Sequence, residues 1–146
     1  MQTINSLNKE QSKLTIGIGL IFNNLGQVLI DQRKNNKNMG GKWEFPGGKQ
    51  EEGEEIEYTI IREIYEELGI KVEVKEKLIE FDHSYTYNKI HFVVCFCKLI
   101  QGEPKPLESL KLKWVYPNDL YNYSFPAANT LMIATLKNHL LLHKST

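Results

Sequence analysis

Three carboxylates, Glu63, Glu66 and Glu67, occupy positions i, i+3 and i+4 of the segment Arg62-Glu63-Ile64-Tyr65-Glu66-Glu67-Leu68-Gly69-Ile70. In a helix that spacing stacks all three on one face. Like charges so placed repel, at about 0.2–0.5 kcal/mol per neighbouring pair. Glu66 and Glu67 also fall in the last turn, where the helix dipole disfavours negative charge. Beside the acids, Ile56, Ile60, Ile61, Ile64 and Leu68 form an apolar stripe, so the helix must dock on a core. Gly69 follows the last periodic residue and stops the helix. A docked helix that keeps three acids together calls for a positive partner, and a hard divalent cation is the natural one. A solvated acidic face is the alternative for an isolated Glu-Glu pair; the docked stripe argues against it here.

Ahead of this helix, Trp43-Glu44-Phe45-Pro46-Gly47-Gly48 reads as a strand running into a Pro-Gly-Gly turn. Glycines there allow the backbone to approach a ligand, and their carbonyls can add oxygen ligands to the carboxylates.

The full pattern resembles the Nudix box, G-x5-E-x7-R-E-U-x-E-E-x-G-U with U aliphatic. Gly48, Glu54, Arg62, Glu63, Ile64, Glu66, Glu67, Gly69 and Ile70 match every set position. The resemblance implies an enzyme, a pyrophosphohydrolase. It implies that Glu63, Glu66 and Glu67 are catalytic and bind metal, with the Gly47 carbonyl as a further ligand. Glu63 is the first choice for the general base. It implies Mg²⁺ as cofactor, with Mn²⁺ as a substitute. Arg62 and Glu54 are expected to form an ion pair that orients helix and loop, and with Gly48 and Gly69 they make the structural part of the motif.

The chain's 146 residues suit one domain. Residues 1–13 are polar and read as an N-terminal extension; 14–146 read as a single Nudix hydrolase domain. Lys plus Arg equals Asp plus Glu at 18 each. That balance gives no electrostatic footprint for a nucleic-acid polymer. No apolar run is long enough to span a bilayer, and the N-terminus lacks a signal core. Cys95 and Cys97 alternate in Phe92-Val93-Val94-Cys95-Phe96-Cys97, so a strand would turn both to one face as reduced thiols. These features suit a cytoplasmic protein, a monomer or homodimer, whose partner is a small nucleotide.

Strands are expected at Leu14 to Phe22, Gln27 to Gln32, Lys71 to Asp82, Lys89 to Ile100 and Lys111 to Tyr116, with loops at Lys34 to Gly41, Ser84 to Asn88 and Gly102 to Leu110. Asn129 to Leu142 reads as an amphipathic helix with Leu131, Ile133, Leu136, Leu140 and Leu141 on or near its inner stripe. The pattern is α+β, with layers around a mixed sheet. The resemblance sharpens this to the Nudix α/β/α sandwich.

Beyond the box, Met39, Trp43 to Lys49 and Phe125-Pro126-Ala127-Ala128-Asn129 resemble the MutT branch, whose members remove oxidised guanine nucleotides. On that resemblance Arg33 contacts base or sugar, Phe45 lines the pocket, Asn129 reads the base, Gly47 and Gly48 border the substrate, and Glu108 is an additional metal-binding or catalytic acid. Guanine shows two acceptors, O6 and N7, on one edge. In 8-oxoguanine N7 carries a proton, and an Asn amide matches the resulting acceptor–donor pair. The competing role for Asn129 is an N-cap of the last helix. The loop from Asp82 to Asn88, with Tyr85 and Tyr87, can reshape the pocket. The expected reaction is conversion of 8-oxo-dGTP to the monophosphate and pyrophosphate. Alternatives are a pyrophosphohydrolase of modified pyrimidine nucleotides and a non-catalytic nucleotide sensor.

Overall fold

The computed structural model describes residues 14–143; the expected N-terminal extension lies outside the described residues. The elements run β1 (Leu14–Phe22), β2 (Val28–Gln32), β3 (Trp43–Glu44), β4 (Gly47–Lys49), α1 (Ile56–Leu68), β5 (Lys71–Ser84), β6 (Lys89–Gln101), β7 (Lys111–Val115), a 3₁₀ helix (Pro117–Asn122) and α2 (Ala128–Leu142). Among the described residues no helix is long and apolar enough to cross a membrane.

The sheet is mixed. Its main path is β3-β2-β1-β6-β5, with β4 also on β1 and β7 also on β2. Among the described residues only β1 and β6 run parallel, in register from Leu14↔Ile90 to Phe22↔Lys98. The other pairs are antiparallel. β1 meets β4 over Ile16–Ile18 but reaches β2 only at Phe22↔Val28. The sheet therefore forks beside β1, and the candidate site opens at that fork.

Alternation along the strands divides the core in two. Ile18, Leu20, Val28, Ile30, Phe92 and Val94 pack with α2, while Ile21, Leu29, Val93, Cys95 and Cys97 pack with α1. A helix layer on each face of one mixed sheet is the expected α/β/α sandwich. Both cysteines are buried and free, on one face as their spacing requires.

α1 sits close to β1 because Gly17 and Gly19 lie beneath it. A Cβ on Gly17 would come 2.7 Å from Ile60 Cγ1, and one on Gly19 2.6 Å from Ile64 Cδ1. Ile60, Ile64 and Leu68 are fully buried there. The helix ends as expected: Gly69 adopts φ 71°, and its N–H donates to the Tyr65 carbonyl.

Two expectations require correction, and one element is new. Gly47 and Gly48 do not form a turn; they lie in β4, paired with Ile18 and Gly17 of β1. Glycine is needed there because backbone passes close by. A Cβ on Gly47 would meet the Gly17 carbonyl oxygen at 2.1 Å. In α2 the buried residues are Ala128, Asn129, Met132, Ile133 and Leu136, whereas Leu131 and Leu141 are exposed. The buried set keeps i, i+3/i+4 spacing, from which Leu131 and Leu141 are rotated away. The 3₁₀ helix was not expected from the sequence; Pro117 at its start and buried Leu120 account for it.

Candidate functional site

A cleft of about 630 Å³ lies at the fork. Arg33, Phe45, Gly47, Gly48 and Asn129 all line it, together with Glu67. These residues come from β2's end, β3–β4, α1 and α2, so folding gathers side chains nearly a hundred residues apart. Ile16, Ile18, Phe92 and Met132 supply an apolar floor. Phe45 is buried and stacked on Phe125 at 5.5 Å between ring centroids. Met39, Tyr85 and Tyr87 border the mouth.

Asn129 is buried and does not cap α2. The cap position is Ala127, with no side-chain cap bond, and Asn129 is the second residue of the helix. Its Nδ2 has a soft acceptor, Met132 Sδ, at 3.8 Å. Its amide is therefore left for something in the cleft. Arg33 is held from two sides: Nη1 donates to Glu44 Oε2 at 2.9 Å and Nε to the Asn38 carbonyl at 2.7 Å.

The acids of α1 part company. Glu67 points into the cleft and accepts a hydrogen bond from the Gly47 N–H at 3.2 Å. Burial, then the nearby Asp31, Glu63 and Glu44 carboxylates, push its carboxyl well above the usual range, against the Gly47 N–H. Glu63 lies against Gly48, so close that a Cβ there would stand 1.9 Å from Glu63 Oε2. Burial also raises the Glu63 carboxyl, opposed by Arg62. Glu66 is exposed and turned toward Arg62 Nη1, 3.0 Å away, rather than into the cleft. A shared helix face brings acids together in register, but Arg62 draws this one aside.

Arg62 and Glu54 form the expected pair, Nε to Oε2 at 2.6 Å and Nη2 to Oε1 at 3.0 Å. That contact holds Glu54 down at about 2. Arg62 also donates to Glu63 Oε1 at 3.1 Å and to the Lys49 carbonyl at 3.1 Å, tying the loop to the helix.

A second recess of about 250 Å³ adjoins the first. Glu67, Glu44 and Arg33 line it too, joined by Asp31, Glu108, Ser109, Lys34 and Lys37. Glu108 thus reaches the acid group from its own loop. Asp31 and Glu44 were missed in the sequence reading. They face each other across β2 and β3, and Asp31 is buried with no donor to its Oδ1 among the described residues. Burial first, then Glu44, pushes Asp31 up to about 8. Leaving a buried polar atom unsatisfied costs about 1–3 kcal/mol. The available signal was the aspartate in Val28-Leu29-Ile30-Asp31, an acid at a core-facing position of an apolar strand.

Among the described residues no group of three or more His, Cys, Asp or Glu is gathered tightly enough to hold a metal ion. The donors nevertheless fit a hard divalent cation. They are all oxygen, and Glu67 shares one recess with the carboxylates Asp31, Glu44 and Glu108. Mg²⁺ needs only one or two protein carboxylates, completing its shell with water and substrate phosphate.

Known proteins give the same picture. The NUDIX domain family model matches residues 17–135. The 8-oxo-dGTP diphosphatase of Escherichia coli K12 is 33% identical over 125 residues, covering 86% of this chain and 97% of that one. The CTP pyrophosphohydrolase of the same organism is 29% identical over 112 residues, covering 77% and 83%. The crystal structure of a MutT NUDIX hydrolase from Burkholderia pseudomallei superimposes with a TM-score of 0.77 at 26% identity, covering 86% of this chain and 98% of that one. With the box complete, Glu67 in the cleft and the sandwich in place, the chain belongs to the NUDIX domain family and is an enzyme of the Nudix hydrolase kind.

Proposed function

We propose that the protein is a Mg²⁺-dependent nucleoside triphosphate pyrophosphohydrolase that converts 8-oxo-dGTP to 8-oxo-dGMP and pyrophosphate, cleansing the cytoplasmic nucleotide pool. Nudix hydrolases generally use divalent metal ions. The observation that carries the substrate reading is Asn129: a buried amide at the cleft, not spent on capping α2. One donor and one acceptor suit the O6 acceptor and N7–H donor of 8-oxoguanine, and mismatch the two acceptors of guanine. Phe45, backed by Phe125, offers an apolar surface for the base, and Arg33 reaches it from β2.

Water adds across the phosphoanhydride between the α- and β-phosphorus atoms, forming one P–O bond and releasing pyrophosphate from the monophosphate. When bound, the cation would neutralise phosphate charge and lower the pKa of water. Glu67 and the Gly47 carbonyl would hold it from the cleft side, with Glu66 and Glu108 at its margins, which leaves Glu63 beside it as the acid that stays off the metal. A neighbouring carboxylate takes the proton from the attacking water, a role contributing about 10²–10⁴-fold. Glu63 suits that role because Arg62 orients it and burial raises its basicity. Glu54, Arg62, Gly48 and Gly69 keep loop and helix in place.

A second reading keeps this chemistry and changes the base to a modified pyrimidine such as 5-methyl-dCTP. The resemblance to a CTP pyrophosphohydrolase supports it. Asn129→Ala separates the two. On the purine reading it lowers kcat/KM for 8-oxo-dGTP by about 100-fold and for dGTP by less than about fivefold, because only the oxidised base loses a matched pair. Equal losses on both nucleotides would remove the base-reading role.

A further inference from the structure

Two exposed aromatic side chains stand at the cleft mouth, unused by the chemistry above. Tyr85 and Tyr87 sit at the tip of the β5–β6 hairpin, 40% and 92% exposed, and both line the cleft that holds Arg33, Phe45 and Asn129. Exposed apolar surface at the rim of a ligand-sized cavity marks a binding function more often than a packing one. Strand register fixes the side on which the hairpin presents itself. Phe81 pairs with Phe92 and His83 with Ile90, so His83 shares the α2 side of the sheet with the cleft floor. The Tyr85 ring meets the His83 ring edge-to-face at 4.7 Å, and the Tyr85 N–H donates to the Asn88 carbonyl at 2.7 Å. Tyr85 is thus held by side chain and backbone at once, whereas the Tyr87 ring stands out in solvent.

We infer that Tyr85 is a base-stacking residue: its ring covers one face of the bound nucleobase while Asn129 reads the edge. The inference deepens the proposed function and rests on the base occupying this cleft.

Sheet order places an aromatic wall on either flank of the cleft floor. Phe45 joins β3 to β4, and β4 lies along one side of β1; β6 and then β5 lie along the other. Ile16 and Ile18 of β1 and Phe92 of β6 form the floor between them, with Ile16 directly beside Phe92. Three strand spacings separate β4 from β5, about 14 Å, a width that admits a planar base with a ring to either side. Hydrogen bonds at Asn129 fix the edge of the base but leave its faces to be covered. Phe45, backed by Phe125, serves one wall, and Tyr85, backed by His83, serves the other. Every base has a π face, so stacking adds affinity, about 10- to 100-fold, without reading identity. Tyr85 therefore sets how tightly a base is held, and leaves the choice between oxidised and normal guanine to Asn129. The phosphates extend toward Glu67, away from this wall, so a ligand without a base should not sense Tyr85.

The test is isothermal titration of the full chain with 8-oxo-dGMP and with pyrophosphate, both in Mg²⁺. Tyr85→Leu, which keeps apolar bulk but no π face, should weaken 8-oxo-dGMP binding at least about tenfold and leave pyrophosphate binding within about twofold. Tyr85→Phe, which keeps the ring, should bind 8-oxo-dGMP within about threefold of the parent. In turnover, Tyr85→Leu should raise KM for 8-oxo-dGTP and dGTP by the same factor, leaving their kcat/KM ratio unchanged, whereas Asn129→Ala shifts that ratio. If Tyr85→Leu fails to fold, the parent itself gives the answer by NMR. The Tyr85 ring protons should move upfield on addition of 8-oxo-dGMP and stay in place with pyrophosphate. Parent-level 8-oxo-dGMP affinity in Tyr85→Leu, with weakened affinity in Asn129→Ala, would overturn the inference and keep the base in the cleft. Parent-level affinity in both variants would place the base elsewhere, and the underlying reading would fail as well. Tyr85→Phe as impaired as Tyr85→Leu, or equal losses on pyrophosphate, would also overturn the stacking role.

Discussion

Glu67→Gln should lower kcat/KM by about 10³-fold, the size expected when a metal ligand and its charge are lost from a hydrolytic site. The fold should survive. Gln retains an oxygen for the Gly47 N–H, so the bond at 3.2 Å between α1 and β4 need not break. The substitution also removes one of several crowded acids. Glu67 and Asp31 both keep their protons to higher pH in the folded chain than in the unfolded one. For a carboxyl raised in that way, the unfolded state releases its proton first as pH rises. The stability it contributes is fully present below the ordinary carboxylate range, and is lost as pH climbs from there toward about 8. Without added cation, the parent protein should therefore melt at lower temperature at pH 8 than at pH 5, and Glu67→Gln should reduce that difference. Millimolar Mg²⁺ should raise the parent's Tm at pH 8 and the variant's much less. Near-normal turnover by Glu67→Gln would remove the acid cluster from the mechanism.

Gly48→Ala should cost about 100-fold in kcat with only a small change in Tm, because misplacing a reacting group by about 1 Å suffices for such a loss. A single methyl group does this because it would overlap Glu63 Oε2, at 1.9 Å, and Cδ, at 2.3 Å. Glu63 is a side chain and can swing away, but only by leaving Arg62 and the place it holds beside the cleft. Gly47→Ala makes the contrast. There the clash is with backbone, the Gly17 carbonyl oxygen at 2.1 Å and the Ile18 Cα at 2.9 Å, so β4 itself must move. Gly47→Ala should lower Tm by several degrees, whereas Gly48→Ala should spare the fold and damage turnover. Circular dichroism melts beside steady-state rates would distinguish them, and equal Tm losses in both would show that Gly48 serves packing alone.

Much of this architecture was legible in the chain. The end of the box helix could be placed to the residue, because an apolar stripe, a glycine stop and a distinctive run of acids coincide there. β1 and β6 were legible as long β-branched runs. The turn expected at Gly47-Gly48 was misread because paired glycines signal turns on average, and local sequence does not reveal that β1 lies alongside. Local pattern also hid the inner face of α2, since Leu131 and Met132 are equally apolar and only the packing decides between them. The divergence of Glu66 had no signature, because it depends on Arg62 reaching four carboxylates at once. Asp31 left a trace, an acid amid Val28, Leu29 and Ile30, but its partner Glu44 lies across a strand pair and emerges only with the register. Arg33, Phe45 and Asn129 could be gathered from sequence through family resemblance; spacing alone would not have joined β2, β3 and α2.

The most direct measurement is pyrophosphate release in the presence of Mg²⁺, at low micromolar concentrations of 8-oxo-dGTP, dGTP, dCTP and 5-methyl-dCTP. The buried Asn129 amide beside Phe45 predicts that kcat/KM for 8-oxo-dGTP exceeds that for each of the others by at least about 100-fold. Comparable rates on 8-oxo-dGTP and dGTP, or a preference for either pyrimidine, would contradict it.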